Sequence, residues 1–200
     1  MLRSALQLVK RELENYINRD SQFADADVDI DVKVSLGNIA FAESESSNLD
    51  KGVVISLVNI EEERTLKNVP SYQKSPVTGR LEYFNPPVHL NLYLLFTANM
   101  DDYEISIAVL SSVLKFFQSK SIFTYRDSSE MVDNEEVNDI RLVFNIYTMT
   151  FEQLNHLWGS LGGKQMPHVM YRVWLVEEKD QRPIRSGGLI TDVDGELSSN

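Results

Sequence analysis

Three histidines are the side chains best suited to metal or acid–base chemistry, and their spacing favours neither. His89, His156 and His168 form no H-x-H, H-x3-H or H-E-x-x-H pattern, the spacings that bring two imidazoles to one metal ion. We interpret each as a surface or strand-edge histidine, with convergence on a metal in the folded chain as the alternative. The sequence predicts no metal site.

Acidic side chains are numerous, but none occurs in a catalytic pattern. Asp29 and Asp31 share one face of a predicted strand, the residues from Glu61 to Glu63 are consecutive, and so are Glu135 and Glu136. Neighbouring carboxylates raise one another's pKa, but acid–base catalysis also needs a pocket that positions a substrate. We therefore interpret these residues as solvated surface charge.

Loops that bind phosphate or carry a nucleophile are also missing from the sequence. There is no G-x-S-x-G, Walker A or G-x-G-x-x-G motif, and the glycines of Gly162–Lys164 follow a predicted helix, as C-cap residues do. The chain contains no cysteine, which excludes thiolate catalysis and cysteine–zinc sites within it. The sequence predicts no catalytic residue and no cofactor, with a small acid–base enzyme as the weaker alternative.

Charge and length limit the partners that the chain can have. Its 200 residues, 42% of them hydrophobic, suffice for one domain with a sizeable core. A net charge of −11 repels nucleic acid and anionic membranes, and no apolar run approaches the roughly 20 residues that cross a bilayer. Residues 1–16 lack the apolar core of a signal peptide. We expect no nucleic-acid partner, no membrane and a cytoplasmic protein.

Hydrophobic periodicity predicts three helices and six strands. Helices alternate along the chain with strands that are mostly arranged as hairpins. This order indicates an α+β (mixed α/β) fold with a single sheet flanked by helices. We assign residues 1–177 to this domain and residues 178–200 to a flexible or partner-docking tail. The predicted helices cover residues 2–17, 103–117 and 151–161, and the predicted strands cover residues 28–36, 53–60, 88–97, 122–125, 140–147 and 169–176.

Two parts of this pattern have more apolar surface than a simple domain needs. The helix at 103–117 carries two apolar stripes, one from Tyr103 to Phe117 and one from Ile105 to Phe116, and a sheet covers only one. The other must meet a second helix or another subunit. The segment from Glu61 to Pro87 is rich in proline yet carries several apolar side chains, which predicts an arm or an extended hairpin that docks on something.

Four short motifs occur in an order that resembles one protein family. They are Leu66–Asn68, Asn85–Thr97, Thr150–Gly162 and Met166–Val173. The chain resembles, over residues 1–177, the N-terminal domain family of terminator (cap) proteins of contractile injection systems. These are the phage-tail-like particles of the antifeeding prophage and Photorhabdus virulence cassette type. His168 departs from the family pattern, where a small residue is expected. The residues that carry the resemblance are Asn68, Pro86, Pro87, Leu92, Leu157, Trp158 and Tyr171.

The resemblance implies a structural role and a fold similar to phage tail terminators. Such proteins form a six-fold ring on the last layer of the inner tube, contact the last layer of sheath and stop polymerisation. The implied partners are copies of the chain itself (a homo-hexamer), the inner tube protein and the sheath protein. Assembly in the cytoplasm would precede incorporation into a particle that can be released. An adaptor of such a particle without ring closure is the alternative.

Residues that contact a neighbouring subunit or the tube are expected in the arm and on the doubly striped helix. Trp158 is a second-choice anchor for a partner. We interpret it instead as a core residue, because Leu154, Leu157 and Leu161 share its predicted helix. The candidate contact residues are Glu61, Glu62, Glu63, Arg64, Tyr72, Tyr83, Ile105, Val109 and Phe116.

Overall fold

Strands and helices alternate irregularly along the part of the chain that the computed structural model describes. That part comprises residues 2–19, 32–42, 49–63, 72–74, 81–83, 89–124, 141–176 and 185–186. Its elements are α1 (Leu2–Ile17), β1 (Lys33–Leu36), a 3-10 helix (Ile39–Phe41), β2 (Gly52–Glu62), β3 (Tyr72–Lys74), β4 (Leu81–Tyr83), β5 (His89–Asn99), α2 (Tyr103–Ser119), β6 (Ile122–Thr124), β7 (Arg141–Ile146), α3 (Phe151–Ser160), β8 (His168–Val176) and β9 (Arg185–Ser186).

The main sheet has six strands in the order β1-β2-β5-β8-β7-β6. Strand β1 is parallel to β2, and every other neighbouring pair is antiparallel. Strands β2 and β5 are the longest strands of the sheet, and their register shifts at a bulge between Leu57 and Asn59. The mixed α/β fold predicted from the sequence is confirmed.

A second, smaller sheet was not predicted. Strands β3 and β4 pair antiparallel, so the segment after β2 contains a hairpin, in agreement with one of the two predicted forms of the arm. Strand β9 adds to the outer edge of β4, with Tyr83 opposite Arg185. Residues 185–186 fall in the segment predicted as a loose or partner-docking tail, and the structure pairs them with the same chain.

Helices α1 and α2 cover one face of the main sheet. Five side chains of α1 are buried, at the spacings of three and four that the sequence predicted, and Tyr16 lies 5.3 Å from Phe116 between ring centroids. Phe117 is the centre of the core on this face. Its ring stacks on Phe144 at 4.5 Å and lies within 5.0 Å of the rings of Phe96 and Tyr171.

The 3-10 helix and α3 cover part of the opposite face. Trp158 on α3 is buried in a cluster with Ile39, Val54, Leu95 and Met170, which confirms its interpretation as a core residue. A capping box begins α3. The Thr150 hydroxyl accepts a hydrogen bond from the backbone N–H of Gln153, whose side-chain oxygen accepts one from the Thr150 N–H.

Local chemistry fixes where two central elements begin. Asp102 caps α2 by accepting hydrogen bonds from the backbone N–H groups of Glu104 and Ile105, which would otherwise lack partners. Gly52 opens β2 with a φ of +147°, and a Cβ there would overlap the carbonyl oxygen of Lys33 in β1. Only glycine allows the two strands to approach this closely.

Phe117→Ala should lower the free energy of unfolding by about 3–5 kcal/mol, because it removes the ring that joins three strands and leaves a cavity. Chemical denaturation with a fluorescence readout measures this change. Phe151→Ala is the matched control, since its side chain is 90% exposed and should cost little. Equal losses in the two variants would contradict the packing described.

Candidate interaction surfaces

Helix α2 buries the Ile105–Phe116 stripe together with Phe117, the last residue of the other stripe. Val109, Val113, Phe116 and Phe117 are in the core, and Ile105 is half-buried against it. This corrects the prediction that Val109 and Phe116 contact another subunit, because side chains enclosed by the sheet and α1 are not available to a partner. The sequence pattern revealed two stripes, but it could not tell which one the sheet covers.

The rest of the other stripe, from Tyr103 to Leu114, faces solvent. Tyr103 is 69% exposed, Ile107 42% and Leu114 39%, and half-buried Leu110 lies between them. We name these four residues the α2 stripe. At about 100° per residue, the four positions lie within roughly 60° of one another around the helix axis. The stripe is therefore a continuous apolar strip along the outside of the helix.

Strand β2 extends beyond the region where the sheet is covered. Its residues from Gly52 to Ser56 are buried, whereas those from Leu57 to Glu62 are exposed. Strand β1 pairs only as far as Ile55, so within the described residues this outer half has a strand neighbour on one side alone. The sequence predicted a buried strand over residues 53–60. The strand is present, but the prediction of burial is wrong for its second half.

Three apolar side chains stand on this outer half. Leu57, Val58 and Ile60 are 36–45% exposed, and we name them the outer β2 surface. Their sequence gave no sign of exposure, because β-branched and leucine residues in succession are equally typical of a strand buried on both faces. The strand becomes exposed where the bulge begins at Leu57, and the sequence did not predict this bulge.

The predicted contact residues at the end of β2 are held by the neighbouring strand. The Tyr93 hydroxyl donates to Oε2 of Glu61 at 2.8 Å, and the Asn91 amide donates to Oε2 of Glu63 at 2.8 Å. Burial, the hydrogen bond to Glu61 and the charge of Glu61 together raise the pKa of Tyr93. Glu61 and Glu62 are nevertheless exposed, so the structure leaves them accessible to a partner.

The other predicted contact residues are in or beyond the hairpin. Tyr72 is in β3, and Tyr83 in β4 is 41% exposed. Arg64 lies outside the described residues. The role of these positions as contact residues remains a prediction.

The residues that carry the family resemblance are mainly core residues. Leu92, Trp158 and Tyr171 are buried, and Leu157 is half-buried beside Trp158. Asn68, Pro86 and Pro87 lie outside the described residues. Burial raises the pKa of the Tyr171 phenol from 10.0 to about 12. The four motif residues that the structure describes therefore belong to the packing of the fold.

The histidines do not share a site. His89 pairs with Val176 and His168 with Thr97, at opposite ends of the β5–β8 ladder, and His156 is exposed on α3. Within the described ranges, no three His, Asp or Glu side chains are grouped so that they could hold a metal ion. No helix in those ranges is long and apolar enough to span a membrane.

Comparison with known proteins places this fold among terminators. A family model described as the Pvc16 N-terminal domain matches residues 5–192. The chain is similar to the PVC sheath/tube terminator of an extracellular contractile injection system in its extended state. That pair has a TM-score of 0.57 and 17% identity, over 100% of this chain and 65% of that chain.

A second solved structure gives the same result. The chain is similar to the tube-terminating cap of the anti-feeding prophage, with a TM-score of 0.64 and 15% identity, over 98% of this chain and 61% of that one. No curated protein matches the chain. The chain thus spans less than two thirds of either solved relative, and identities this low show a shared fold. The predicted likeness to tail terminators is confirmed at that level.

Stability should fall between pH 10 and pH 12 because of Tyr171. An unfolded tyrosine loses its proton near pH 10, whereas the folded phenol keeps it to about pH 12, so the folded state binds more protons in this interval and loses stability as pH rises. Tyr171→Phe should therefore lose less stability than the wild type when denaturant midpoints at pH 9 and pH 11.5 are compared. The control, Tyr103→Phe on the exposed stripe, should follow the wild type. Identical pH dependence in Tyr171→Phe and the wild type would contradict the assignment.

Proposed function

Because this chain belongs to the Pvc16 N-terminal domain family, we propose that it is a structural terminator of a contractile injection particle. The family match over residues 5–192 carries the proposal, and the fold shared with two solved terminators supports it. The relatives' printed functions are a sheath/tube terminator and a tube-terminating cap. By analogy, this chain would end the inner tube and bind the last layer of sheath.

Six copies would form the cap as a closed ring. A tube built from stacked rings grows because each layer offers the next the surface it has just bound. A cap stops growth when one face binds the tube end and the opposite face offers no such surface. A ring that matches the tube symmetry meets this need, and its neighbours then contact one another through two different patches.

The hairpin of β3 and β4 is our candidate for contact with the tube or with a neighbouring subunit. It is the next pair of strands along the chain after Glu61 and Glu62 at the exposed end of β2, and it carries the exposed ring of Tyr83. Aromatic side chains provide much of the binding energy at protein interfaces. We propose Glu61, Glu62, Glu63, Arg64, Tyr72 and Tyr83 as residues of this contact.

A role without catalysis is consistent with the chemistry of the described acids. Glu61 and Glu63 accept hydrogen bonds from Tyr93 and Asn91, which favours a structural use of both carboxylates. A general acid or base must instead reach the proton of a bound substrate. We propose assembly in the cytoplasm followed by incorporation into the particle, as the extracellular system of the solved relative suggests.

Loss of the gene should leave particles without a defined end. When the particle's gene cluster is expressed without this chain, we expect tubes of broadly distributed length with separated sheath in negative-stain images. Supplying the chain in trans should restore a narrow length distribution. An unchanged length distribution and unchanged particle ends in its absence would contradict the proposal.

Deleting residues 72–81 should abolish ring formation or capping while the six-strand sheet still folds. Circular dichroism measures folding, and images of particle ends measure capping. The matched control is an equally long deletion, residues 128–137, in the acid-rich segment between β6 and β7. Normally capped particles from the 72–81 deletion would show that the hairpin is not the contact.

A further inference from the structure

The α2 stripe is an apolar surface on an unusually neutral helix. The 17 residues of α2 include one acidic side chain, Glu104, and one basic side chain, Lys115. The whole chain carries a net charge of −11, so two copies repel each other over most of their surface. A contact between copies is favoured where charge is absent and apolar area is available, and the α2 stripe combines both properties.

The outer β2 surface has matching properties. The residues from Leu57 to Ile60 contain no charged side chain, and the strand then ends with Glu61 and Glu62. Lys115 lies on the exposed side of α2 next to the stripe, so its charge is opposite to that at the end of β2. The two surfaces are thus both apolar along their length and carry complementary charges at one end.

The two surfaces also agree in length. The α2 stripe from Tyr103 to Leu114 spans 11 residue steps of about 1.5 Å, which is about 16 Å. The exposed half of β2 from Leu57 to Glu62 spans five steps of about 3.3 Å, which is again about 16 Å. A helix laid along this strand would therefore cover its apolar residues without leaving a long remainder on either side.

The position of the stripe suits a head-to-tail contact. Phe116, which contacts Tyr16 of α1, lies roughly 120–180° around α2 from the stripe residues. The stripe therefore faces away from α1, and α1 packs on β1, the neighbour of β2. One subunit thus has two different apolar surfaces on separate sides, and a cyclic ring requires such a pair.

We propose that the α2 stripe of one copy docks on the outer β2 surface of the next copy. This inference rests on the proposed function, because it assigns the contact that closes the terminator ring. Burial of Ile107 and Leu114 against Val58 and Ile60 would provide the apolar contact, and Lys115 would approach Glu62, which lies on the same face of β2 as Ile60. Each copy would use both surfaces, one toward each neighbour.

Cysteine cross-linking tests the pairing directly, because the chain has no cysteine of its own. The double variant Val58→Cys with Ile107→Cys should give a ladder of covalent oligomers with a short bismaleimide, on purified protein and on capped particles. Each single variant should stay monomeric on a denaturing gel. The control pair, Val58→Cys with Ser119→Cys, places the second thiol at an exposed position about 120° around α2 from Ile107 and should cross-link at least tenfold less.

The outcomes separate this inference from the proposed function. Capped particles whose double variant does not cross-link would overturn the pairing and leave the terminator role intact. Dimers from Ile107→Cys alone would also overturn it, since they indicate a symmetric contact of α2 with α2. If the particles form without any cap that contains this chain, the proposed function fails.

A charge placed in the stripe provides the second readout. Ile107→Glu should prevent ring formation, because a buried unpaired carboxylate between two acidic subunits is unfavourable. Ser119→Glu adds the same charge at an exposed position about 120° around the same helix from Ile107 and should leave rings intact. Both variants should unfold at the wild-type temperature, since neither side chain is in the core. Normal rings from Ile107→Glu would overturn the proposal.

Discussion

Helix α2 has more apolar surface than one face of a sheet can cover, and the rest of the structure depends on how this surface is divided. The side with Val113 and Phe117 packs on the sheet and brings together rings from β5, β6, β7 and β8. The side with Tyr103 and Ile107 has no sheet to cover it. A protein that worked alone would gain solubility from polar residues there. Their absence is what a subunit of a larger assembly would show.

Patterns within single elements predicted most of the fold. The predicted strand at 88–97 and the predicted helices at 2–17 and 151–161 each depend on residues a few positions apart, and the structure contains them as β5, α1 and α3. Trp158 belongs to the same group, because three leucines on its own helix indicated a core position. Local periodicity reports which faces of an element are apolar, and that is sufficient to identify an α/β fold.

Relations between elements could not be predicted in the same way. Nothing local to α2 distinguishes the stripe that the sheet covers from the one that it leaves, so Val109 and Phe116 were assigned to the wrong surface. The exposed half of β2 depends on how far β1 extends beside it, and the pairing of Arg185 with Tyr83 joins residues about one hundred positions apart. These features follow from strand register and sheet order, which hydrophobic periodicity does not encode.

The resemblance to terminators identifies the fold, but it does not identify the residues that make contacts. Leu92, Trp158 and Tyr171 are buried, so they identify the fold even at 15–17% identity with the solved caps. Residues that bind tube, sheath or a neighbouring copy are on the surface, and an overall identity of 15–17% does not identify them. The assignment of contacts therefore rests on the exposed apolar and charged side chains of this chain alone.

The central claim, that this chain closes into a ring on a tube end, is tested most directly by measuring its mass and shape together. Light scattering on the purified protein with purified tube fragments, followed by negative-stain images of the same peak, gives both. The account predicts six copies for each occupied tube end and a six-fold ring with a central hole. Bare tube ends beside a protein that remains monomeric would contradict it.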